Sequence, residues 1–70
     1  MTIKSTPDMH GRHVSVGSKV MFFFDKVKYH GSIKTFIFEE GKLFAWVEHI
    51  HPKLSSRWVE PRRLALDTEQ

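Results

Sequence analysis

The amino-acid sequence predicts an all-β fold, a small barrel of five strands. Three observations carry that expectation. Runs rich in valine, isoleucine, threonine and aromatic residues recur at short intervals, divided by glycine, proline and acidic turn residues. No segment keeps a helical period of apolar residues for more than one turn. The 70 residues include no cysteine, so no disulfide holds so small a domain together. At this size closure into a barrel best hides the strand edges.

The elements follow in order. Residues 1–13 hold Pro7, Gly11 and two histidines without periodicity, which predicts a flexible, disordered lead-in. Gly17 opens the first strand, Ser18 to Phe24, and Asp25-Lys26 closes it. A longer β-rich stretch runs from Val27 to Glu39, and Gly31 inside it predicts a bulge or sharp bend. Glu40-Gly41-Lys42 is a hairpin turn, with glycine where a positive φ is wanted. The third strand, Leu43 to Ile50, ends at His51-Pro52, because proline cannot donate to a ladder. After the connector Lys53 to Ser56 come a short fourth strand, Arg57 to Glu60, a single 3₁₀ turn at Pro61 to Leu64, and a last strand at Ala65-Leu66. The barrel domain is thus expected over 14–66, with a short tail over 67–70.

Composition narrows the function. Hydrophobic residues make up 40% of the chain and charged ones 27%, which places it among globular rather than disordered proteins. One domain without staples has a thin stability margin, and burial between subunits is a common remedy. No apolar run approaches the ~20 residues that span a bilayer, and the N-terminus lacks the apolar stretch of a secretion signal. No membrane partner and a cytoplasmic location are expected. The net charge is +3, with Asp67 and Glu69 in the last four residues, so the rest of the chain is more basic still. That balance suits an anionic partner without requiring one.

Side chains alternate along a strand. On that rule Val20, Ile33, Ile37, Ala45, Val47, Val59 and Leu64 form the narrow interior. Phe23, Phe36, Phe38, Phe44 and Trp46, with Trp58, are a surplus aromatic set on the other face, and Ile50 falls with Phe44 and Trp46. Apolar patches of this kind mark interfaces, which predicts a homo-oligomer or a protein partner on Phe23, Phe36, Phe38, Phe44 and Trp46. Cover by the N-terminal segment or by a bent second strand is the alternative.

Few residues point to catalysis. His49-x-His51 puts two imidazoles on one side of a strand, with His10 and His13 elsewhere, but without cysteine the set falls short of an ordinary zinc site. Serines lie in loops and turns, and acids mostly at turns. There is no Gly-rich phosphate loop, Walker motif or dinucleotide fingerprint. No catalytic residue, metal or cofactor is expected. The basic and aromatic residues are more suggestive: Lys26, Lys28 and Tyr29 around the first hairpin, and Arg57, Trp58, Arg62 and Arg63 around the last strands. Lysine and arginine neutralise phosphates, while Tyr29 and Trp58 offer rings on which bases stack.

Gly17-x-x-Val20, Tyr29-x-Gly31-x-Ile33, the hydrophobic third strand and Pro61-x-x-Leu64 resemble the SH3-like fold. Val59-Glu60-Pro61-Arg62-Arg63 is similar to the closing strand of the C-terminal DNA-binding domain of retroviral-type integrases. That resemblance, over roughly 19–66, implies a DNA-contacting, dimerising module without the integrase catalytic domain. Ala45-x-Val47-Glu48, His51-Pro52 and Pro61-x-x-Leu64 resemble the plasmid-borne type II dihydrofolate reductase, a homotetramer of such barrels. Its Val-Gln-Ile-Tyr-Pro signature is replaced here by Arg57-Trp58-Val59-Glu60-Pro61, so its pore residues do not carry over. Tudor and KOW-type modules share the barrel as well. Both closer look-alikes belong to mobile elements.

The expected function is therefore a non-enzymatic SH3-like module that oligomerises and binds nucleic acid or a nucleoprotein through a basic edge. The alternatives are a protein-interaction module, as inhibitor or accessory subunit, and a reductase-like enzyme.

Overall fold

The computed structural model describes residues 4–67, and within them the chain is all-β, with seven strands in two antiparallel sheets and one 3₁₀ turn. Strands β1 (Ser5–Pro7) and β2 (His13–Ser15) form a two-stranded ribbon. Strands β3 (Lys19–Phe24), β4 (Val27–Glu39), β5 (Lys42–His51), β6 (Arg57–Val59) and β7 (Ala65–Leu66) form a sheet of order β6-β5-β4-β3-β7. The 3₁₀ turn, Pro61–Arg63, links β6 to β7. No helix among these residues is long and apolar enough to cross a membrane.

Two tight turns make the meander. Phe24 pairs with Val27, and Glu39 with Lys42, leaving two-residue loops. In both loops each central residue has φ > 0: Asp25 at 52° and Lys26 at 66°, then Glu40 at 52° and Gly41 at 77°. That is the primed turn whose twist matches the flanking strands.

Two bulges decide which side chains face inward. Ile33 pairs with Val47 but Thr35 with Trp46, so Lys34 is an extra residue on β4. His30 pairs with His51 but Ser32 with Glu48, so β5 carries an extra residue beside His49, whose φ is 56°. Each bulge reverses the alternation beyond it. Phe36, not Ile37, therefore follows Ile33 into the interior and packs on the core, while Ile37 is exposed. Ile50 likewise follows Val47 inward and is buried. Strict alternation places Ile37 inside and both Phe36 and Ile50 outside; the bulges overturn all three.

The bulge expected at Gly31 lies across the ladder from it, on β5, and Gly31 is the β4 residue that faces it. A Cβ there would lie 2.6 Å from Val47 Cγ1 and 3.1 Å from the Glu48 carbonyl oxygen. Only a residue without a side chain lets the strands approach so closely.

The lead-in is not disordered from Ser5 onward, which corrects the expectation for 1–13; residues 1–3 lie outside the described range. Val14 of β2 is fully buried in the core beside Val20, Phe22, Ile33, Ala45, Val47, Ile50, Val59 and Leu64. Asp8 fixes the ribbon. Its Oδ1 accepts from the backbone N–H groups of His10 (2.8 Å) and Arg12 (2.9 Å), and its Oδ2 from that of Leu66 (2.7 Å). The Met9 N–H donates to the Leu64 carbonyl at 2.9 Å and Arg12 Nη2 to the Leu66 carbonyl at 3.3 Å, so three hydrogen bonds tie this segment to residues 64–66. Desolvation alone pushes the Asp8 carboxyl up; the N–H groups of Leu66, His10 and Arg12 and the Arg12 charge outweigh it and hold the group below its ordinary 3.8. Asp67 is also more than tail: its N–H donates to the Lys19 carbonyl and its carboxylate contacts His30, each at 2.9 Å. The remaining tail, 68–70, lies outside the described residues.

Candidate nucleic-acid interface

The tip of the β3–β4 hairpin and strand β6 flank one cleft of about 220 Å3. Phe22, Phe23 and Phe24 line it from β3, Phe44 from β5, and Arg57, Trp58 and Val59 from β6, with Glu60 and Arg63 at its end. The alternation along β3 stops mattering here, because Phe24 lies at the strand end where the core has run out. Phe23 is 68% exposed and Phe24 47%.

Arg57 is the oriented cation of the cleft. Its guanidinium carbon stands 4.5 Å over the centre of the Phe24 ring. Its Nε donates to the Ser55 carbonyl at 3.2 Å and its Nη2 contacts the Ser55 hydroxyl at 3.1 Å. The side chain is thus clamped on one edge and laid on an aromatic face. Trp58 is 45% exposed, and its ring meets that of Trp46 at 4.9 Å between centroids, tilted by 58°. The register explains the contact, since Trp46 and Trp58 are cross-strand partners on the outer face. Trp46 is fixed in turn by its Nε1–H, which donates to Glu48 at 2.8 Å.

The other expected residues divide. Arg63 is exposed at the cleft end, on the 3₁₀ turn that Pro61 starts. Arg62 is paired with Glu60 at 2.6 Å and points outward, its side chain 78% exposed. Lys26 occupies the hairpin turn, and Lys28 lies opposite Phe23 across the β3–β4 ladder. Tyr29 is half-buried; its ring stacks on Phe22 at 5.8 Å and packs the core, so its face is already taken.

The aromatic residues expected at an interface also divide. Phe23 joins the cleft just described, and Phe36 packs on the core. Phe38 is 63% exposed near the β4–β5 turn. Phe44 and Trp46 are half-buried on the outer face. A groove of about 410 Å3 runs over that face, lined by Ile37, Phe44 and Trp58 with Glu39, Glu40 and Lys42 at its rim. It shares Phe44 and Trp58 with the arginine cleft, so the expected basic edge and the expected aromatic face meet at those two residues.

Sequence reasoning missed Phe24 and Ser55 as parts of the site. A serine two residues before an arginine leaves only a weak trace, and Phe24 reads like any strand residue. Among the described residues no group of three or more histidine, cysteine or acidic side chains is placed to hold a metal ion.

Comparison with protein-family models, with curated proteins and with solved structures finds no match to this chain.

Proposed function

We propose that this chain is an SH3-like barrel, left open between β6 and β7, that binds single-stranded nucleic acid in the cleft between the β3–β4 hairpin and β6. The barrel reading is supported by the sheet order β6-β5-β4-β3-β7, the 3₁₀ turn before the last strand, and one core to which every strand of that sheet contributes, β7 through buried Ala65 and the packed Leu66, with the N-terminal ribbon adding Val14. The resemblance to the DNA-binding domain of retroviral-type integrases agrees with it.

One observation carries the binding reading: two arginines, Arg57 and Arg63, and four accessible aromatic rings line the same cleft. Unpaired bases stack on rings, and guanidinium groups contact the phosphates between them. Lys26 and Lys28 extend the positive edge along the hairpin. Phe23, Phe24, Phe44 and Trp58 are the stacking residues, and Tyr29 supports Phe22 from behind. Taking about four phosphate contacts, a single strand gives a salt slope near −3, or about a 50-fold loss of affinity for a fourfold rise in salt. Fluorescence anisotropy with a labelled oligonucleotide measures it. The double variant Arg57→Ala, Arg63→Ala should lower the slope by about 1.4, and Trp58→Ala should weaken binding by about 1–3 kcal/mol per lost base stack. No binding at low salt, or binding indifferent to salt, rejects the reading.

A second reading rests on the outer groove. Ile37 and Trp58 are exposed in it beside the half-buried Phe44, and contiguous apolar groups of this kind mark interfaces. In that reading the face pairs with a second copy or with a protein partner.

A further inference from the structure

The opposite flank of the sheet holds a second cleft, of about 380 Å3, lined by Lys19, His30, Ser32, His49, His51 and Asp67. The fold gathers these residues from four places in the sequence. The ladder sets Lys19 opposite Ser32, and His30 opposite His51. The β5 bulge adds His49, held at a φ of 56°. The chain leaving β7 delivers Asp67, whose Oδ2 lies 2.9 Å from His30 Nδ1.

Lys19 comes from β3, His30 from β4, His49 and His51 from β5, and Asp67 from beyond β7. Glu48 of β5 pairs with Ser32 in the ladder, and its carboxylate accepts from Trp46 Nε1 at 2.8 Å. With the imidazoles neutral, Lys19 and Asp67 cancel. With them protonated, the cleft gains up to three positive charges, and its one acid is already engaged by His30. The imidazoles share a cleft without converging as metal ligands would, since no described group of three is placed to hold a metal. Donors spread in this way suit a ligand with several acceptor atoms.

We propose that this cleft binds a tetrahedral oxyanion, the chemistry shared by sulfate, free phosphate and a nucleic-acid phosphodiester, and that it does so when its imidazoles are protonated. Imidazole changes charge between about pH 5 and 8, so the affinity rises as pH falls through that range. The inference stands apart from the aromatic cleft, because none of these six residues lines that cleft.

Sulfate is the right first probe, being a dianion across the whole range. The test follows amide chemical shifts of the full chain during a sulfate titration, with chloride at matched ionic strength as control. The expected result is a shift of the His30, Ser32 and His49 amides, with binding at least about fivefold tighter near pH 5.8 than near pH 7.8. The double variant His49→Asn, His51→Gln should reduce that ratio to less than about twofold; asparagine tolerates the positive φ at 49. A phosphodiester oligomer lacking bases then separates the sources. If it shifts the same amides, the site takes backbone phosphate; if sulfate alone does, the site takes a free anion. Arg57→Ala, Arg63→Ala should leave the sulfate response unchanged, whatever that variant does to oligonucleotide binding. No sulfate response at the lower pH, or one equal at both pH values, overturns the proposal.

Discussion

Asp8 is the residue on which the N-terminal ribbon depends. Its carboxylate accepts three backbone N–H groups, one of them from Leu66 on the far side of the sequence. Asn in its place keeps one oxygen but turns an amide donor toward at least one of those N–H groups. Asp8→Asn should therefore cost about 1–3 kcal/mol in urea unfolding at neutral pH. The pH dependence follows from the depressed folded value. Asp8 contributes its full stabilisation above the unfolded value near 3.8 and loses it as pH falls through the lower folded value. The acid limb of the stability curve should accordingly be shallower in Asp8→Asn than in the native chain. An equally steep limb would show that other carboxylates govern acid unfolding. Gly31 is the second such residue, and for a steric reason. Gly31→Ala drives a methyl into Val47 and the Glu48 carbonyl, and overpacking of that kind costs about 1–3 kcal/mol. Thermal or urea unfolding reads it directly.

At the scale of elements, the turns and bulges matter more than the strands they join. The Asp25-Lys26 turn places a lysine at a φ of 66°, which a side chain disfavours. Lys26→Gly should raise stability by a few tenths to about 1 kcal/mol. The same change removes a cation from the proposed binding edge, so the salt slope for an oligonucleotide should fall by about 0.7. A rise in stability with an unchanged slope would remove Lys26 from the interface and leave the rest of the site intact. The strands of the five-stranded sheet are legible and the ribbon strands β1 and β2 are not: Val27–Glu39 is bounded correctly from composition, and β3, β5, β6, the 3₁₀ turn and β7 fall within about a residue of their expected limits. Facing was legible only up to each bulge. Nothing in Lys34 or His49 as residue types announces an extra residue in the ladder, yet each reverses every side chain beyond it until the strand ends.

At the scale of the whole molecule, the two candidate interfaces share a border at Phe44 and Trp58. Fully burying one large apolar side chain is worth roughly 1.5–3 kcal/mol, so the outer face has a drive to associate if a complementary surface exists. The double variant Phe44→Ser, Trp46→Ser tests the second reading by light scattering. A native chain that is oligomeric and a variant that is monomeric would assign the face to a second copy. A native chain that is already monomeric would leave the face to a different protein, found by loss of that partner in the same variant. The ribbon offers another test of the whole. Removing residues 1–11 deletes Asp8, and with it the link to Leu66, so the shortened chain should lose at least about 2 kcal/mol.

What the sequence by itself determined is local. Strand composition, turn residues and the absence of helical period depend on neighbours within a few positions, and they were enough for the all-β class and for the order of elements from β3 onward, but not for the N-terminal ribbon. It also named Arg57, Trp58 and Arg63, because charge and aromaticity belong to a residue wherever it lies. The tertiary structure decided what depends on distant contacts. It folded 5–15 onto β7 through a carboxylate 58 positions from its partner. It brought Phe23 and Phe24 to Arg57 across more than thirty residues of chain. It also set the two bulges: the one at Lys34 has no mark in its own strand, and the one on β5 is marked only by Gly31 across the ladder.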